Sequence, residues 1–340
     1  MIKSRPKLKD VAHEAGVSIA TASLVLSGKG KISSEVSDRV IASVKKLGYI
    51  KRSSSNSGKR RIKYIAVLHF EPFEYLWNFM RPCILTLEEL LIQKGYFPVI
   101  FDMNKAGYTE EVLQRVILSE AGAVLSIHYG NSELFEKLED MGIPVILINN
   151  SNFQDKFTTV CVDDFQGAYE GTRHLITLGH KNILYIEYLR THMTSVLEDR
   201  FVGFKKAVDE FGIDFNDTMR LSVSIDEVEQ LYPKLKEIFS SPEKPSAIFF
   251  HDDYVAALVM VLLRKLPIRI PQDVSIIAPG DVLDYNQSFT PKITTMSIDT
   301  SLMAQLSGDL MIKRLEADPP DIQVLKVKQQ LIKRGSCKPL

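Results

Sequence analysis

Cysteine is scarce in this chain: three residues in 340, Cys83, Cys161 and Cys337, none of them in a Cys-x-x-Cys pair. That spacing speaks against a disulfide framework and against a zinc site. No uninterrupted apolar run approaches the roughly 20 residues that a membrane span needs. The start, MIKSRPKLKD, is polar and basic, without the apolar core of a secretory signal. A reducing cytoplasm and no membrane partner are therefore expected. Signatures of catalysis are missing too: there is no GxxxxGK[ST] loop, no GxGxxG after a strand, no HExxH and no GxSxG. His251-Asp252-Asp253 stand together at one strand end, where adjacent side chains rarely converge on an ion; a cleft or helix-capping role suits them better. Asp163-Asp164 reads as a strand-end turn and helix N-cap, and His174 and His180 as structural. An enzyme is not expected, and neither is a catalytic residue, a metal or a cofactor.

Net charge is also absent, with 42 Lys/Arg against 42 Asp/Glu, but the balance hides an asymmetry. Residues 1–63 hold 15 Lys/Arg against four acids (Asp10, Glu14, Glu35, Asp38), a charge of +11, which leaves 27 against 38, or −11, for the rest. A basic head on an acidic body is the footprint of a polyanion-binding module carried by a second domain. At 340 residues the chain has room for about two or three domains.

The head reads as three short amphipathic helices. Leu8, Val11, Ala12 and Ala15 fall at i, i+3, i+4, i+7 on one face. Gly16 supplies a tight turn, and Ser18 is the N-cap candidate for a second helix running to about Leu26, with Ala22 and Val25 inward. A third helix begins near Ser33 and ends at Gly48. Two short helices joined by a glycine turn, closed by a third, form a helix-turn-helix unit that can lay its second helix in a DNA major groove.

From Lys63 the pattern changes to apolar strands alternating with helices: KYIAVLHF, YFPVIFD, GAVLSIH, PVILIN, TTVCVD, NILYIE, AIFFHDD and SIIAPGD are the strands. Continuous apolar strands separated by helices imply parallel sheets covered on both faces, with ligands at the carboxyl ends of the strands. The expected fold is a small all-α helix-turn-helix headpiece followed by an α/β body of two doubly wound parallel-sheet subdomains. The expected boundaries are 1–50 for the headpiece, 51–62 for a basic Ser-rich linker and 63–340 for the body. Within the body, one subdomain takes about 63–157 and 292–325, the other about 158–291 and 326–340.

DVAHEAGVS, TASLVLSGKG and ISSEVSDRV…LGY together resemble the headpiece of the lactose/galactose repressor (LacI/GalR) family. The resemblance continues through VDDFQGAYEGTRHLITLGHKNI, DRFVGFKKAVDEFGI, the run ending IPQDVSIIAPGD, and PKITTMSID, and so spans essentially the whole chain. It implies a periplasmic-binding-protein-like body whose two lobes close on a small molecule. It also implies base contacts from Ser18, Ile19, Ala20, Thr21, Ser23 and Leu24, and backbone contacts from Lys7, Lys9, Lys29, Lys31 and Ser33. Leu24 stands where the family often has Arg, and Ile19 and Ala20 offer only apolar contact.

In the linker IKRSSSNSGKRRIK the family's Ala-Arg-x-Leu hinge signature is missing, so it reads as a basic tether in which Lys59, Arg60 and Arg61 meet phosphates; the alternative is a hinge helix that folds only on DNA. For the effector the resemblance implies Arg200, Phe79 as a stacking ring, and Asp252 where Asn is common. Asp281 stands beside Gly280, which occupies the position of a family Asp. His128 and Tyr129 end a strand and are expected to line the cleft.

The function implied is a DNA-binding transcription regulator, a repressor. Its partners are double-stranded operator DNA, a small-molecule effector (a sugar or related metabolite) and a second copy of itself in a homodimer. The alternative is a small-molecule sensor of the periplasmic-binding-protein type with weak or no effector-coupled DNA binding.

Overall fold

The computed structural model describes residues 8–27, 32–47, 64–70, 76–103, 109–188, 194–316 and 321–340. The chain divides into two compact units, residues 1–62 and 63–340.

In the first unit, α1 (Leu8–Ala15), α2 (Ile19–Ser27) and α3 (Ser34–Leu47) follow the periodicity of the sequence. Gly16 turns the chain at φ +64°, and the Val17 N–H donates to the Ala12 carbonyl at 2.9 Å, closing the end of α1. The Ser18 hydroxyl accepts from the Thr21 N–H at 3.0 Å and so caps α2. Val11, Ala12, Ala15, Ala22 and Val40 form the buried core, joined by Leu8, Val17, Val25, Leu26, Val44 and Leu47. The linker from 48 to 63 lies outside the described residues.

The second unit holds two six-stranded sheets. The first contains β1 (Tyr64–His69), β2 (Phe97–Asp102), β3 (Val124–Ile127), β4 (Val145–Ile148), β5 (Thr158–Val162) and β11 (Val324–Val327). Their order is β11-β5-β4-β3-β1-β2, parallel throughout. The second contains β6 (Ile183–Tyr188), β7 (Arg220–Val223), β8 (Ala247–Phe250), β9 (Ser275–Pro279), β10 (Thr294–Ser297) and β12 (Gln330–Ile332). Its order is β12-β10-β9-β8-β6-β7, and only β12 runs antiparallel. Central strands such as β3, β4 and β8 are buried along their whole length, as sheets covered on both faces require.

Helices α4 (Leu76–Gln93) and α11 (Thr300–Glu316) pack together on the first sheet through Met80, Cys83, Leu87, Met303 and Met311. Gly308 lets them approach, since a Cβ there would lie 2.4 Å from Leu90. On the second sheet, α7 (Asp164–Thr177) and α8 (Thr194–Glu210) cover one face, with Phe204 of α8 packed on Tyr185 and Phe249. Helices α9 (Leu231–Ser240) and α10 (Asp253–Leu263) cover the other.

The lobe boundaries differ from those read in the sequence. TTVCV was expected to open the second lobe at 158, but β5 pairs with β4 and β11 in the first sheet. Residues 294–297 were expected in the first lobe, yet β10 pairs with β9 and β12 in the second. Residues 326–327, expected in the second, complete β11 in the first. The physical reason is that each crossing leaves the carboxyl end of a strand: after Val162, after Ser297 and after Val327. Three crossings at carboxyl ends turn the carboxyl edges of the two sheets toward each other. Among the described residues no helix is long and apolar enough to cross a membrane.

Candidate functional site

Both sheets have the order 2-1-3-4-5 counted from their own first strand, so the strand order reverses between β1 and β3 and again between β6 and β8. The crevice outside such a switch point is where open α/β sheets bind ligands.

At the second switch point the Arg200 Nε donates to Asp164 Oδ1 at 2.7 Å, and its Nη1 donates to the His251 carbonyl. Both side chains are buried. Burial pushes the Asp164 carboxyl up from its usual range, while Arg200 pulls it back. Asp252 caps α10 by accepting from the Val255 N–H at 2.8 Å. Asp253, fully buried, accepts from the N–H groups of Val282 and Leu283 at 3.1 Å each and from the Tyr285 hydroxyl at 3.0 Å. Burial, with Asp252 next to it, raises its pKa to about 7.

Asp281 accepts from Thr295 Oγ1 at 2.6 Å and pairs with Arg334 at 3.0 Å; the Arg334 guanidinium also covers the Tyr285 ring at 3.7 Å. Gly280 between them has φ +96°, and a Cβ there would lie 3.2 Å from Asp253 Oδ1. An acid at 280 would therefore meet a backbone strained for any L side chain and a tight contact with Asp253.

At the first switch point His128 adopts φ +57° and its Nε2 lies 2.7 Å from Asn149 Nδ2. Asn150 Nδ2 donates to the carbonyls of His128 and Tyr129, each at 3.3 Å. The Tyr129 hydroxyl accepts from Asn131 at 3.3 Å.

Arg200 and Asp252 are thus brought together around His251, with Asp281 on the neighbouring strand end. Phe79 is not an open ring: it is carried by α4 and buried in the core that α4 and α11 form with the first sheet. Reading the sequence missed Asp164 as the partner of Arg200, Asp253 as the clamp on 282–285, and Glu187. The Glu187 carboxylate, buried, accepts from Arg220 Nε and Nη2 at 2.8 and 2.7 Å and from Ser222 at 3.2 Å. A lone charge in the apolar strand ILYIEY was the signal for it. A surface cavity of about 430 Å³ lies elsewhere, among Glu136, Glu139, Lys156 and Arg314, where β4 and β5 begin. Its walls are ion-paired with each other, and it stands at the opposite edge from the switch points.

In the first unit, α2 presents Ile19 (53% exposed), Ala20 and Leu24 (44%) outward. Ser18 and Thr21 hydroxyls lie 2.8 Å apart, Ser23 is half-buried, and Lys9 is exposed on α1. Ser33, expected on a phosphate, caps α3 through the Val36 N–H at 3.4 Å. Lys7, Lys29, Lys31, Lys59, Arg60 and Arg61 lie outside the described residues.

Two family descriptions match the chain: "Bacterial regulatory proteins, lacI family" over residues 7–51 and "Periplasmic binding protein-like domain" over residues 172–337. The HTH-type transcriptional repressor PurR of Pectobacterium atrosepticum is 27% identical over 337 residues, covering 97% of this chain and 96% of that protein. A solved complex of the transcriptional regulator CelR with cellobiose superposes with a TM-score of 0.68 at 22% identity, covering 98% of this chain and all of that one. The lac repressor dimer bound to operator and the anti-inducer ONPF gives 0.63 at 20% identity, with 98% and 100% covered. The chain thus joins a helix-turn-helix domain of the lacI family of bacterial regulatory proteins to a periplasmic binding protein-like domain.

Proposed function

We propose that this chain is a repressor that binds double-stranded operator DNA through residues 1–62 and changes its affinity when a small molecule, a sugar or related metabolite, enters between the two sheets. The observation that carries the reading is the joining of a helix-turn-helix head and its linker, +11 over residues 1–63, to a body of two doubly wound sheets with apposed carboxyl edges. PurR is named a repressor, CelR was solved with cellobiose, and the lac repressor was solved as a dimer on operator; these support the same arrangement here.

A homodimer supplies two heads for a two-fold site with half-sites about one helical turn apart. It is supported by the apolar edge of the first sheet, where Phe97 and Ile100 on β2 and Leu85 and Ile92 on α4 are each about half exposed. Such an edge invites a partner. Lys7, Lys9, Lys29, Lys31, Lys59, Arg60 and Arg61 are the phosphate contacts of this reading, with Ser18, Ile19, Ala20, Thr21, Ser23 and Leu24 over the bases and a cytoplasmic location. Arg200, with Asp252, Asp281, His128 and Tyr129, holds the effector, trading its bond to Asp164 or His251 for the ligand. Differential affinity for two lobe arrangements then shifts DNA binding.

The test is a mobility-shift titration on genomic fragments with and without cellobiose, D-ribose and purine nucleosides. A shift of retained DNA by any of them supports the coupling. DNA retention insensitive to all of them favours a regulator without one of these effectors.

A further inference from the structure

We infer that α2 reads pyrimidine C5-methyl groups in the major groove, those of thymine above all, and not the hydrogen-bonding edges of the bases. This rests on the DNA-binding reading above. The helix IATASLVLS contains no Arg, Lys, His, Asn, Gln, Asp or Glu. No side chain on it can make the two-pronged bonds by which guanine and adenine edges are recognised. The hydroxyls at its start serve the helix itself: Ser18 Oγ accepts from the Thr21 N–H at 3.0 Å and lies 2.8 Å from Thr21 Oγ1.

Apart from the half-buried Ser23, what faces outward is apolar. Ile19 is 53% exposed and Leu24 44%, with Ala20 exposed beside them. Positions 19, 20, 23 and 24 are spaced i, i+1, i+4, i+5 and so share one side of the helix. Ala22, on the other side, is fully buried in the three-helix core, which fixes the rotation of the helix.

In a helix-turn-helix unit the first residues of the second helix meet base edges. Of the four bases only thymine offers the major groove an apolar group, its C5-methyl. A guanine O6 and N7, or the amino group of cytosine, placed under Ile19 and Leu24 would lose water and gain no partner, which is unfavourable. Thymine under the same side chains buries methyl against methyl. The stripe therefore selects thymines and rejects G·C pairs at the same positions. A 5-methylcytosine carries the same C5-methyl beside an amino group in place of the O4 carbonyl, so the contribution of the methyl and that of the hydrogen-bonding edge can be separated.

The test uses the full-length chain and duplexes enriched from a random library. Each enriched thymine is then replaced by uracil, which removes the methyl and leaves every hydrogen-bonding group. At the contacted positions affinity should fall about fourfold per methyl. Cytosine at the same position should bind more weakly still, with 5-methylcytosine recovering part of the loss. Ile19→Ala and Leu24→Ala, both at exposed side chains, should melt like the parent and bind the uracil and thymine duplexes equally at the position each contacts.

Enriched sites without thymine, uracil duplexes bound as tightly as thymine ones, or a uracil penalty that persists in both variants would overturn the inference. If no duplex is retained at all, the DNA-binding reading itself falls.

Discussion

Arg200 Nε and Asp164 Oδ1 lie 2.7 Å apart in the interior of the second lobe, 36 residues from each other in sequence, where the starts of α7 and α8 pack together. Both belong to the switch point of the second sheet, so the cation assigned to the effector is held by a buried acid before any ligand arrives. Removing one partner of such a pair leaves the other charged and dry. Arg200→Ala should cost about 3–5 kcal/mol by denaturant unfolding. The cost should be smaller at pH 5 than at pH 8, because burial already favours the protonated Asp164. Arg200→Leu combined with Asp164→Asn should recover most of the loss, and additive losses in the double variant would argue against the pair.

Gly280 answers to its neighbours. At φ +96° with Asp253 3.2 Å from a notional Cβ, Gly280→Ala should destabilise by about 1–3 kcal/mol. Gly280→Asp, which would restore the family's acid, should cost more, since it adds a carboxylate beside Asp253. Melting of the two variants checks the order; equal or higher stability for Gly280→Asp would mean that the 280–285 segment repositions.

Asp253 sets a pH dependence with a definite sign. Its folded pKa of about 7 stands above the ordinary carboxylate value of 3.8, so between these limits the folded state binds more protons than the unfolded one. The group's contribution is then fully present below about pH 4 and is lost as pH rises through 7, by up to about 1.4 kcal/mol per pH unit. Asp253→Asn should therefore cost most near pH 4 and progressively less toward pH 8. A cost that is flat with pH would show that the carboxyl titrates as an ordinary one.

Much of this was legible in the chain. The three helices of the head followed from the spacing of Leu8, Val11, Ala12 and Ala15 and from the cap at Ser18, because local period and local hydrogen bonds decide them. The eight apolar runs became β1–β6, β8 and β9, whereas β7, β10, β11 and β12, short and interrupted by polar residues, were not read. Which sheet each strand joins was not legible: TTVCV and TTMS look alike as sequence, and only the pairing of Thr159 with Val324 and of Thr294 with Ile277 assigns them. Arg200 stood out through its motif, yet Asp164 read as a helix cap, because their meeting depends on how two helices pack. Phe79 misled for the opposite reason: an aromatic at a helix start suits a cleft or a core equally, and the sheet beneath α4 decides for the core.

Removing residues 1–62 should leave a folded, acidic body. Its unfolding transition should match that of the body in the intact chain, since each unit has its own core. Loss of cooperative unfolding in the fragment would show that the head is needed for the fold.

The most direct test of the central claim is retention on genomic DNA fragments as a function of salt, for the intact chain and for residues 63–340 side by side. The intact chain should bind in dilute buffer, with log K falling linearly in log salt at a slope of about −0.9 per phosphate contacted, and the body alone should not bind. An intact chain that ignores every fragment in dilute buffer, or a body that binds as well as the whole, would contradict the account.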